Sequence, residues 1–498
     1  MDVQTSKAQD DLKLLQIILE QEESLTFECK RPGKVDKLLE SVVAFANTEG
    51  GIIAYGLEDP DKASGADRIY GVQDHQDNWD EILRKIATRI TETEQIEWSH
   101  HSITCVTREN KPGFIILIKI KKSSRVHSIL ENGTFIRLSK GNREIVANEI
   151  NDLCYARGVI SAESQLVDVD FHLLNTSFWM DYASHRQLTR PIKDAMFHAG
   201  LAKKDRDGEL KPTKSAVLLF AENPSALLGS KASIRIFHYR GNEIETDPNT
   251  NLIKPPMTIS GPLIRLIQLA RQAVINELAA GIQITPLGFE IIQQYPVRVI
   301  TEAITNAVIH RDYRLPSDIV IRIFANRILI ESPGLFAGPV NTNNIRQIGT
   351  YSRNIQITQN LREFPTPPNL DAGEGVPMMF GMMHKAGLYP PIYQTRPKIP
   401  REAVVVTLFN ENRLSIWSQV EQFIQQHGSV ANAEVRKLMN TDDTLRVSKQ
   451  FKIWVAQGLL VVSNPTAGRN VRRYCFPQGD NSDLFFSNHD GKEDPENP

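Results

Sequence analysis

Cysteine is scarce in this chain. The four that occur, Cys29, Cys105, Cys154 and Cys475, form no Cys-x-x-Cys pair, so neither a disulfide framework nor a structural zinc site is expected. Residues 1–15 alternate in charge and lack an apolar signal core. No run of about 18 apolar residues occurs. We therefore expect a protein of the reducing cytoplasm with no membrane partner and no membrane span.

Net charge is also nearly absent, because 57 Lys and Arg against 59 Asp and Glu leave only -2 over 498 residues. This balance excludes a uniformly basic nucleic-acid coat but permits a local basic patch. Hydrophobic residues at 41% and charged residues at 23% are typical of globular domains. At about 100–200 residues per domain, the length predicts three or four domains.

Two common phosphate-binding patterns are missing. The chain has no Gly-x-x-x-x-Gly-Lys-Ser/Thr loop, which excludes a P-loop ATPase. His310-Arg311-Asp312 imitates a kinase catalytic loop, but the expected Asn falls on Ser317 and no Asp-Phe-Gly occurs. A protein kinase is therefore excluded as well.

Changes of pattern along the chain predict a multidomain α+β protein. We expect an α+β domain over residues 18–160 and a connecting α/β segment over residues 165–285. An α/β sandwich is expected over residues 286–411 and a helical module with a hairpin over residues 412–478. Residues 479–498 are acidic and polar, and their composition predicts a disordered tail.

Short apolar runs inside these segments are assigned to buried strands. They include Ile52–Gly56, Gly113–Ile120 and Ala216–Phe220. By contrast, Val297–His310 has a helical spacing of apolar residues and is assigned to a helix.

Basic residues concentrate near the C-terminus. The apolar spacing over residues 412–478 predicts three helices and a β-hairpin, which together make a winged helix-turn-helix. Between Arg413 and Arg473 the sequence contains nine basic residues and four acidic ones. The residues of the third helix and wing that we expect at nucleic-acid phosphates are Arg446, Lys449, Lys452, Arg469, Arg472 and Arg473. The alternative is a winged helix used for protein docking or dimerisation.

One predicted helix carries Glu302, Asn306 and His310 at i, i+4 and i+8, which places them on one face. A carboxylate and an amide one turn apart could hold Mg²⁺ and a water molecule. The glycines of the later loop at residues 371–376 permit a close approach of phosphates to the backbone. A solvated helix face is the alternative for Glu302 and Asn306 alone.

Here the chain resembles the divergent GHKL-type ATPases (HATPase_c_4-like) of bacterial proteins with a helix-turn-helix C-terminus. EAITNAVIHRDY resembles their N-box, and GEGVPMMFGMMHKAGLYPP resembles their glycine box. The resemblance implies a Bergerat-type sandwich that binds ATP, with Asn306 ligating Mg²⁺ and Glu302 activating the attacking water. It also implies nucleotide contacts by His310, Asp312, Ser332, Gly334, Arg353, Asn354, Gly373, Glu374 and Gly375. A homo-oligomer is expected by the same analogy.

The resemblance has one departure. The broader family places an Asp against adenine in an Asp-x-Gly-x-Gly box, whereas Ser332-Pro333-Gly334 stands at that place here. Adenine recognition would therefore need other groups than the family's aspartate.

Two groups of carboxylates occur near the N-terminus. Glu23 and Glu28 precede Lys30, and Glu58 and Asp59 follow a strand expected in the same sheet. Converging carboxylates with a lysine could bind a divalent metal and orient water at a phosphodiester. The alternative is that Glu28 and Lys30 form an ion pair and the second group lies in an ordinary turn, because surface carboxylates are common.

Residues 20–155 resemble the Schlafen AlbA-like (AlbA_2) domain, because ESLTFECK, AFANTEGGIIAYGLEDP and FIRLSKGNRE follow one another in that family's order. Animal members are RNA endonucleases with three carboxylates, and bacterial relatives are described as DNA-binding. The resemblance implies a site with Mg²⁺ or Mn²⁺ formed by Glu23, Glu28 and either Glu58 or Asp59, with Lys30 beside it. The residues implied at a phosphate backbone are Lys30, Arg137, Lys140 and Arg143.

Three functions remain open from the sequence. The leading hypothesis is an ATP-responsive nucleic-acid-binding protein that acts in transcriptional control or defence. The second is a metal-dependent endoribonuclease for tRNA-like RNA, gated by the ATPase module. The third is a non-catalytic scaffold that uses its winged helix for protein contacts.

Overall fold

The structure is a computed structural model that describes residues 11–477 apart from residues 13, 34, 73–74, 246–250, 286–287, 343, 350, 369–373, 397–401, 412–415 and 464–471. Contacts divide the chain into two compact units, Met1–Val159 with Ser418–Pro498 and Ile160–Trp417. Both contain helices and sheets, which confirms the predicted mixed multidomain fold. Among the described helices, none has the length and apolar character needed to cross a bilayer.

The N-terminal part of the first unit is built on a four-stranded sheet. Its elements are β1 (Phe27–Lys30), α1 (Val35–Ala46), β2 (Gly51–Tyr55), α2 (His75–Arg89), β3 (Trp98–Val106), β4 (Pro112–Ile120), β5 (Thr134–Arg137), β6 (Asn142–Ile145) and α3 (Ala147–Arg157). The strand order is β1-β2-β4-β3, with only β1 and β2 parallel. Strands β5 and β6 pair separately as a hairpin.

Alternation along β4 explains why this sheet is buried on both faces. Ile116 and Ile118 belong to the apolar cluster that includes α1, whereas Ile115 and Leu117 belong to the cluster that includes Phe27. Successive side chains of a strand point to opposite faces, so one continuous apolar run supplies both clusters. The sheet thereby fixes the residues that follow β1 and β2, where the predicted carboxylates lie.

The second unit is built on a six-stranded sheet. Its elements are α4 (Ser177–His185), α5 (Ile192–His198), β7 (Ala202–Lys204), β8 (Leu210–Pro212), α6 (Lys214–Phe220), α7 (Pro224–Leu227), β9 (Ile234–His238), β10 (Met257–Ile259), α8 (Leu263–Glu277), β11 (Ala279–Thr285), β12 (Gly288–Gln293), α9 (Val297–Ile309), β13 (Ile319–Ile323), β14 (Arg327–Pro333), α10 (Ile355–Arg362), α11 (Gly375–Lys385), β15 (Ile392–Arg396) and β16 (Ala403–Phe409). The strand order is β10-β9-β13-β14-β16-β15. Only β9 and β13 pair in parallel.

One apolar core spans this unit from Val169 to Leu408. Strand β9 of the predicted connecting segment pairs directly with β13 of the predicted sandwich, Ile234 opposite Ile319. The division predicted between residues 285 and 286 therefore falls inside one sheet and one core. Local sequence pattern does not reveal this, because the paired strands are far apart along the chain.

The predicted strand at Ala216–Phe220 is wrong, because these residues belong to helix α6. Thr213 caps the helix, and its hydroxyl oxygen accepts the backbone N–H of Ala216 at 3.4 Å. Every residue from Ser215 to Phe220 is buried. The segment therefore has no polar face, and periodicity cannot distinguish a buried helix from a buried strand.

The C-terminal part of the first unit contains α12 (Trp417–His427), β17 (Val430–Ala431), α13 (Asn432–Leu438), α14 (Thr444–Ala456), β18 (Val461–Val462) and β19 (Arg473–Cys475). The three short strands form an antiparallel sheet in the order β17-β19-β18. The rings of Phe451 and Tyr474 stack with centroids 4.0 Å apart and join α14 to β19. The predicted acidic tail lies outside the described residues.

A buried carboxylate caps helix α10 in the second unit. Glu163 is 1% exposed, and its two oxygens accept the backbone N–H groups of Gln356 at 2.7 Å and Ile357 at 2.8 Å. Burial raises the pKa of Glu163 to about 7, although these bonds oppose the rise. The carboxyl group thus joins the start of the second unit to the first turn of α10.

Glu163 predicts a specific pH dependence of stability. Between pH 4.5 and 7 the folded chain holds a proton on this group that the unfolded chain has lost, so the free energy of unfolding falls as pH rises. At about 1.4 kcal/mol per pH unit the loss approaches about 3 kcal/mol. Glu163→Gln keeps an acceptor but cannot titrate. Urea unfolding at pH 5 and 7.5 should show wild type losing stability relative to this variant; parallel profiles would contradict the assignment.

Candidate functional site

Helix α9 presents a polar face to a cavity of the second unit. The Asn306 side-chain amide donates to Glu302 Oε1 at 3.0 Å, as their spacing of one turn predicts. Burial raises the pKa of Glu302 above its usual value, although Asn306 and the nearby Arg298 oppose the rise. The opposite face of α9, including Ile300 and Ile304, is buried in the core and holds the helix in place.

The cavity measures about 560 Å³ and lies between α9, α11 and the strands β14, β15 and β16. Of the predicted nucleotide residues, seven line it: Glu302, Asn306, His310, Ser332, Gly334, Glu374 and Gly375. Gly373 lies outside the described residues. Residues widely separated in sequence therefore meet at one concave site, which is the usual form of a small-molecule site.

Gly375 brings α11 against the polar face of α9. A Cβ added at this position would lie 1.9 Å from Glu302 Oε1, far inside any real contact. Only glycine fits here while the carboxylate keeps its position. Gly375 is also the first residue of α11, so the unpaired N–H groups of that helix begin beside Glu302.

The turn after β14 forms another wall of the cavity. Gly334 has φ +100°, and an added Cβ would lie 2.7 Å from the Cβ of Asp312, so both conformation and space favour glycine. The Ser332 hydroxyl donates to the Ala307 carbonyl at 2.7 Å. Ser332 thus binds α9 and ties β14 to that helix.

Three predicted nucleotide residues, Asp312, Arg353 and Asn354, lie behind the cavity wall and do not line it. Arg353 Nη1 donates to Asp312 Oδ2 at 2.9 Å, and both side chains are about 95% buried. The Asn354 amide donates to the carbonyls of Ile309 at 2.7 Å and Arg311 at 2.8 Å, which holds the end of α9. These contacts support the framework of the site, and direct nucleotide contact by the three residues stays a prediction.

The charge state of this framework follows from its contacts. Burial alone would raise the pKa of Asp312, but hydrogen bonds from Arg314 and the charge of Arg353 outweigh it and hold that pKa below its usual value. His310 lines the cavity, where burial by the surrounding protein and the charge of Arg353 lower its pKa. Both causes favour the neutral, hydrogen-bonding imidazole over the cation.

The rest of the cavity wall was not predicted. Its apolar and aromatic members include Ile330, Phe336, Val340, Ile345, Ile348, Tyr351, Tyr393, Val404 and Val406. Arg298 also lines the cavity and is exposed. It lies one turn before Glu302, so the same i, i+4 spacing could have identified it. The apolar members carry no such pattern, because they come from three strands and a loop.

The N-terminal carboxylates are largely paired with cations. Glu28 is 2% exposed, and its Oε1 lies 2.6 Å from Lys30 Nζ and 3.0 Å from Arg137 Nη1. Arg137 also donates to the carbonyls of Ser24 at 3.0 Å and Phe27 at 3.1 Å. Its side chain is fully buried, which corrects the predicted phosphate contact by Arg137 to a structural role. The ion-pair alternative for Glu28 and Lys30 matches these contacts.

The other carboxylates of this group lie nearby. Glu23 accepts the Cys29 N–H at 3.1 Å; burial raises the pKa of Glu23, and the charges of Glu28 and Asp59 add to the rise. Glu58 is ion-paired with Arg31, and Asp59 lies 3.3 Å from Lys62. Within the described part of the chain, no group of three His, Cys, Asp or Glu is arranged to hold a metal. Metal ligation at this place stays a prediction.

The remaining predicted phosphate contacts lie mostly on exposed surface. Lys140 pairs with Asp61 at 3.0 Å, and Arg143 binds both carboxylate oxygens of Glu149, at 2.7 and 3.1 Å. On α14 the exposed basic residues are Arg446, Lys449 and Lys452. Arg472 and Arg473 are partly buried, Arg473 pairs with Glu434 at 3.2 Å, and Arg469 lies outside the described residues.

Comparison with known proteins identifies two regions of the chain. Residues 23–146 match the family described as Schlafen, AlbA_2. Residues 317–408 match the family described as putative ATP-dependent DNA helicase recG C-terminal. The second match covers β13 to β16 and α11 but not α9, which contributes Glu302 and Asn306.

Similarity over the whole chain is weak. No curated protein matches it. Among solved structures, the DIP2311 protein from Corynebacterium diphtheriae is 16% identical, with coverage of 97% of this chain and 99% of that one and a TM-score of 0.40. The two family matches are more specific: the chain contains a Schlafen AlbA_2 domain and an ATPase-like domain of the recG C-terminal type.

Proposed function

We propose that the second unit binds ATP with Mg²⁺, and that the bound nucleotide controls nucleic-acid binding by the AlbA_2 domain and the C-terminal module. One observation carries this proposal. Gly375 at the start of α11 lies against Glu302 on the polar face of α9, and both residues line a cavity of about 560 Å³. That volume lies in the range of sites for small-molecule cofactors.

The residues present fit this ligand. Asn306 and Glu302 offer the amide and carboxylate oxygens that Mg²⁺ takes from proteins. The free N–H groups at the start of α11, together with Arg298 at the cavity wall, suit phosphates. Tyr393, Val404 and the other apolar wall residues suit a purine ring. Mg²⁺ would supply charge neutralisation at the phosphates.

The C-terminal module is proposed as a winged helix that contacts nucleic acid through α14. Three helices and a small antiparallel sheet, whose first strand lies between the first two helices, support this assignment. Arg446, Lys449 and Lys452 all lie exposed on α14, where they can reach phosphates.

For the AlbA_2 domain we propose binding without cleavage. Lys30 and the buried Arg137 both pair with Glu28 Oε1 and offset the charge that would attract a second cation. The predicted endoribonuclease would have only Glu28 Oε2, which is buried, to offer a metal ion.

Two glycines of α11 provide the experiment. Gly375→Ala places a methyl group against Glu302, whereas an added Cβ at Gly381 on the same helix meets nothing within 4 Å. We expect Gly375→Ala to weaken ATP–Mg²⁺ binding by about tenfold, or about 1.4 kcal/mol, and Gly381→Ala to leave it unchanged. Isothermal titration of the full chain measures both. Equal affinities of the two variants would place the nucleotide elsewhere.

A further inference from the structure

A cluster of two arginines and one tyrosine lies on the AlbA_2 domain, outside the predicted phosphate-contact residues. The Arg108 guanidinium lies 3.7 Å from the centroid of the Tyr70 ring, and that of Arg31 lies 4.7 Å from it. Arg108 Nη1 also donates to the Tyr70 hydroxyl at 2.6 Å. We call these three residues the Tyr70 cluster.

Backbone contacts fix the position of the Tyr70 cluster. The Arg108 N–H donates to the Ile69 carbonyl at 2.8 Å, which joins the turn between β3 and β4 to the Tyr70 segment. The Tyr70 N–H donates to the Gly56 carbonyl at 3.1 Å, just after β2. The cluster is therefore anchored to three strands of the sheet. Guanidinium orientation is then set before any ligand arrives, which lowers the entropy lost on binding.

The Tyr70 cluster differs in charge from the predicted cations. Lys30, Lys140 and Arg143 are each paired with a carboxylate. Arg108 is exposed, and its neighbour Glu109, which interacts electrostatically with it, pairs with Lys111 at 3.0 Å. Arg31 pairs with Glu58 but keeps 52% of its side chain exposed. The cluster therefore offers an exposed, pre-oriented guanidinium whose neighbouring carboxylate is shared with Lys111.

We propose that the Tyr70 cluster binds a phosphodiester of the nucleic-acid backbone, with Arg108 contacting the phosphate and Tyr70 positioning it. This deepens the proposed function, on which it rests. The guanidinium of Arg108 uses one N–H for the Tyr70 hydroxyl, and its other N–H groups can match two phosphate oxygens. Arg31, which is paired with Glu58, lies against the same ring. Because a phosphate contact carries no sequence information, the site is expected to act on every sequence bound.

The test compares Arg108→Ala with Lys37→Ala in the full chain by fluorescence anisotropy with labelled duplex DNA and labelled RNA. Both residues are exposed cations on the same domain, but Lys37 is bound by Glu40 at 2.9 Å and has no assigned role in binding. We expect Arg108→Ala to weaken binding of every sequence by a similar factor and to reduce the salt slope by about 1, with little change for Lys37→Ala. Tyr70→Ala should weaken binding as well, and Tyr70→Phe, which keeps the ring, should restore most of it.

Each outcome decides a different point. If wild type binds while Arg108→Ala matches Lys37→Ala in affinity and salt slope, the Tyr70 cluster is not a phosphate site. If Tyr70→Phe binds as weakly as Tyr70→Ala, the ring does not position Arg108. A wild type that binds neither probe contradicts the proposed function itself.

Discussion

Asn306→Ala is expected to weaken ATP–Mg²⁺ binding by about 10- to 100-fold, the usual loss when a polar group is removed from a metal site. Asn306 is half-buried beside Glu302, and its amide orients that carboxylate at 3.0 Å. Alanine removes both the amide oxygen and this orientation. Isothermal titration of the full chain with ATP, with and without Mg²⁺, measures the effect.

Asn276→Ala is the matched control for this titration. Asn276 lies exposed on α8 and bonds Gln272 one turn away, so its loss leaves the cavity intact. We expect wild type and Asn276→Ala to bind ATP alike. If Asn306→Ala binds ATP–Mg²⁺ as strongly as wild type does, Mg²⁺ does not bind at this face of α9.

Arg137→Ala is expected to destabilise the AlbA_2 domain by about 3–5 kcal/mol, the range for breaking a buried ion pair. The change leaves the buried Glu28 carboxylate with Lys30 as its remaining cation and removes the donor to the carbonyls of Ser24 and Phe27. Because Phe27 and Glu28 belong to β1, the pairing of β1 with β2 should weaken first.

Hydrogen–deuterium exchange locates this loss, read on peptides from residues 23–146 against peptides from the second unit. Arg143→Ala is the control, because exposed ion pairs such as that with Glu149 contribute about 0–1 kcal/mol. Faster exchange confined to the AlbA_2 domain in Arg137→Ala supports the structural role. Exchange equal to that of Arg143→Ala would mean that Glu28 finds another partner.

Local spacing was enough to predict the polar face of the site. Glu302 and Asn306 lie one turn apart on one helix, and one turn fixes their shared direction whatever the rest of the chain does. The glycine at position 375 was predicted from its loop, and its contact with Glu302 follows from that residue's small size. Arg353 and Asn354 were placed near the site, but sequence could not show that they bind Asp312 and the end of α9.

The burial of charged residues could not be predicted from the local sequence pattern. Arg137 alternates with apolar neighbours in β5 as a surface residue would, and its partners Glu28 and Phe27 lie on a strand more than a hundred residues earlier. The strand predicted at helix α6 was wrong for the opposite reason. All residues from Ser215 to Phe220 are buried, so the segment lacks the spacing of polar and apolar residues that indicates a helix. In both cases the deciding contacts are long-range.

The central claim is that nucleotide and nucleic-acid binding are coupled in one chain. Anisotropy of labelled DNA and RNA with the full chain, in the presence and absence of saturating ATP–Mg²⁺, tests it directly. A coupling free energy of about 1–3 kcal/mol predicts an affinity change of about 5- to 150-fold in wild type, and Asn306→Ala should show none. If wild type binds both ligands and its nucleic-acid affinity is the same with and without ATP, the two sites are independent and the claim is wrong.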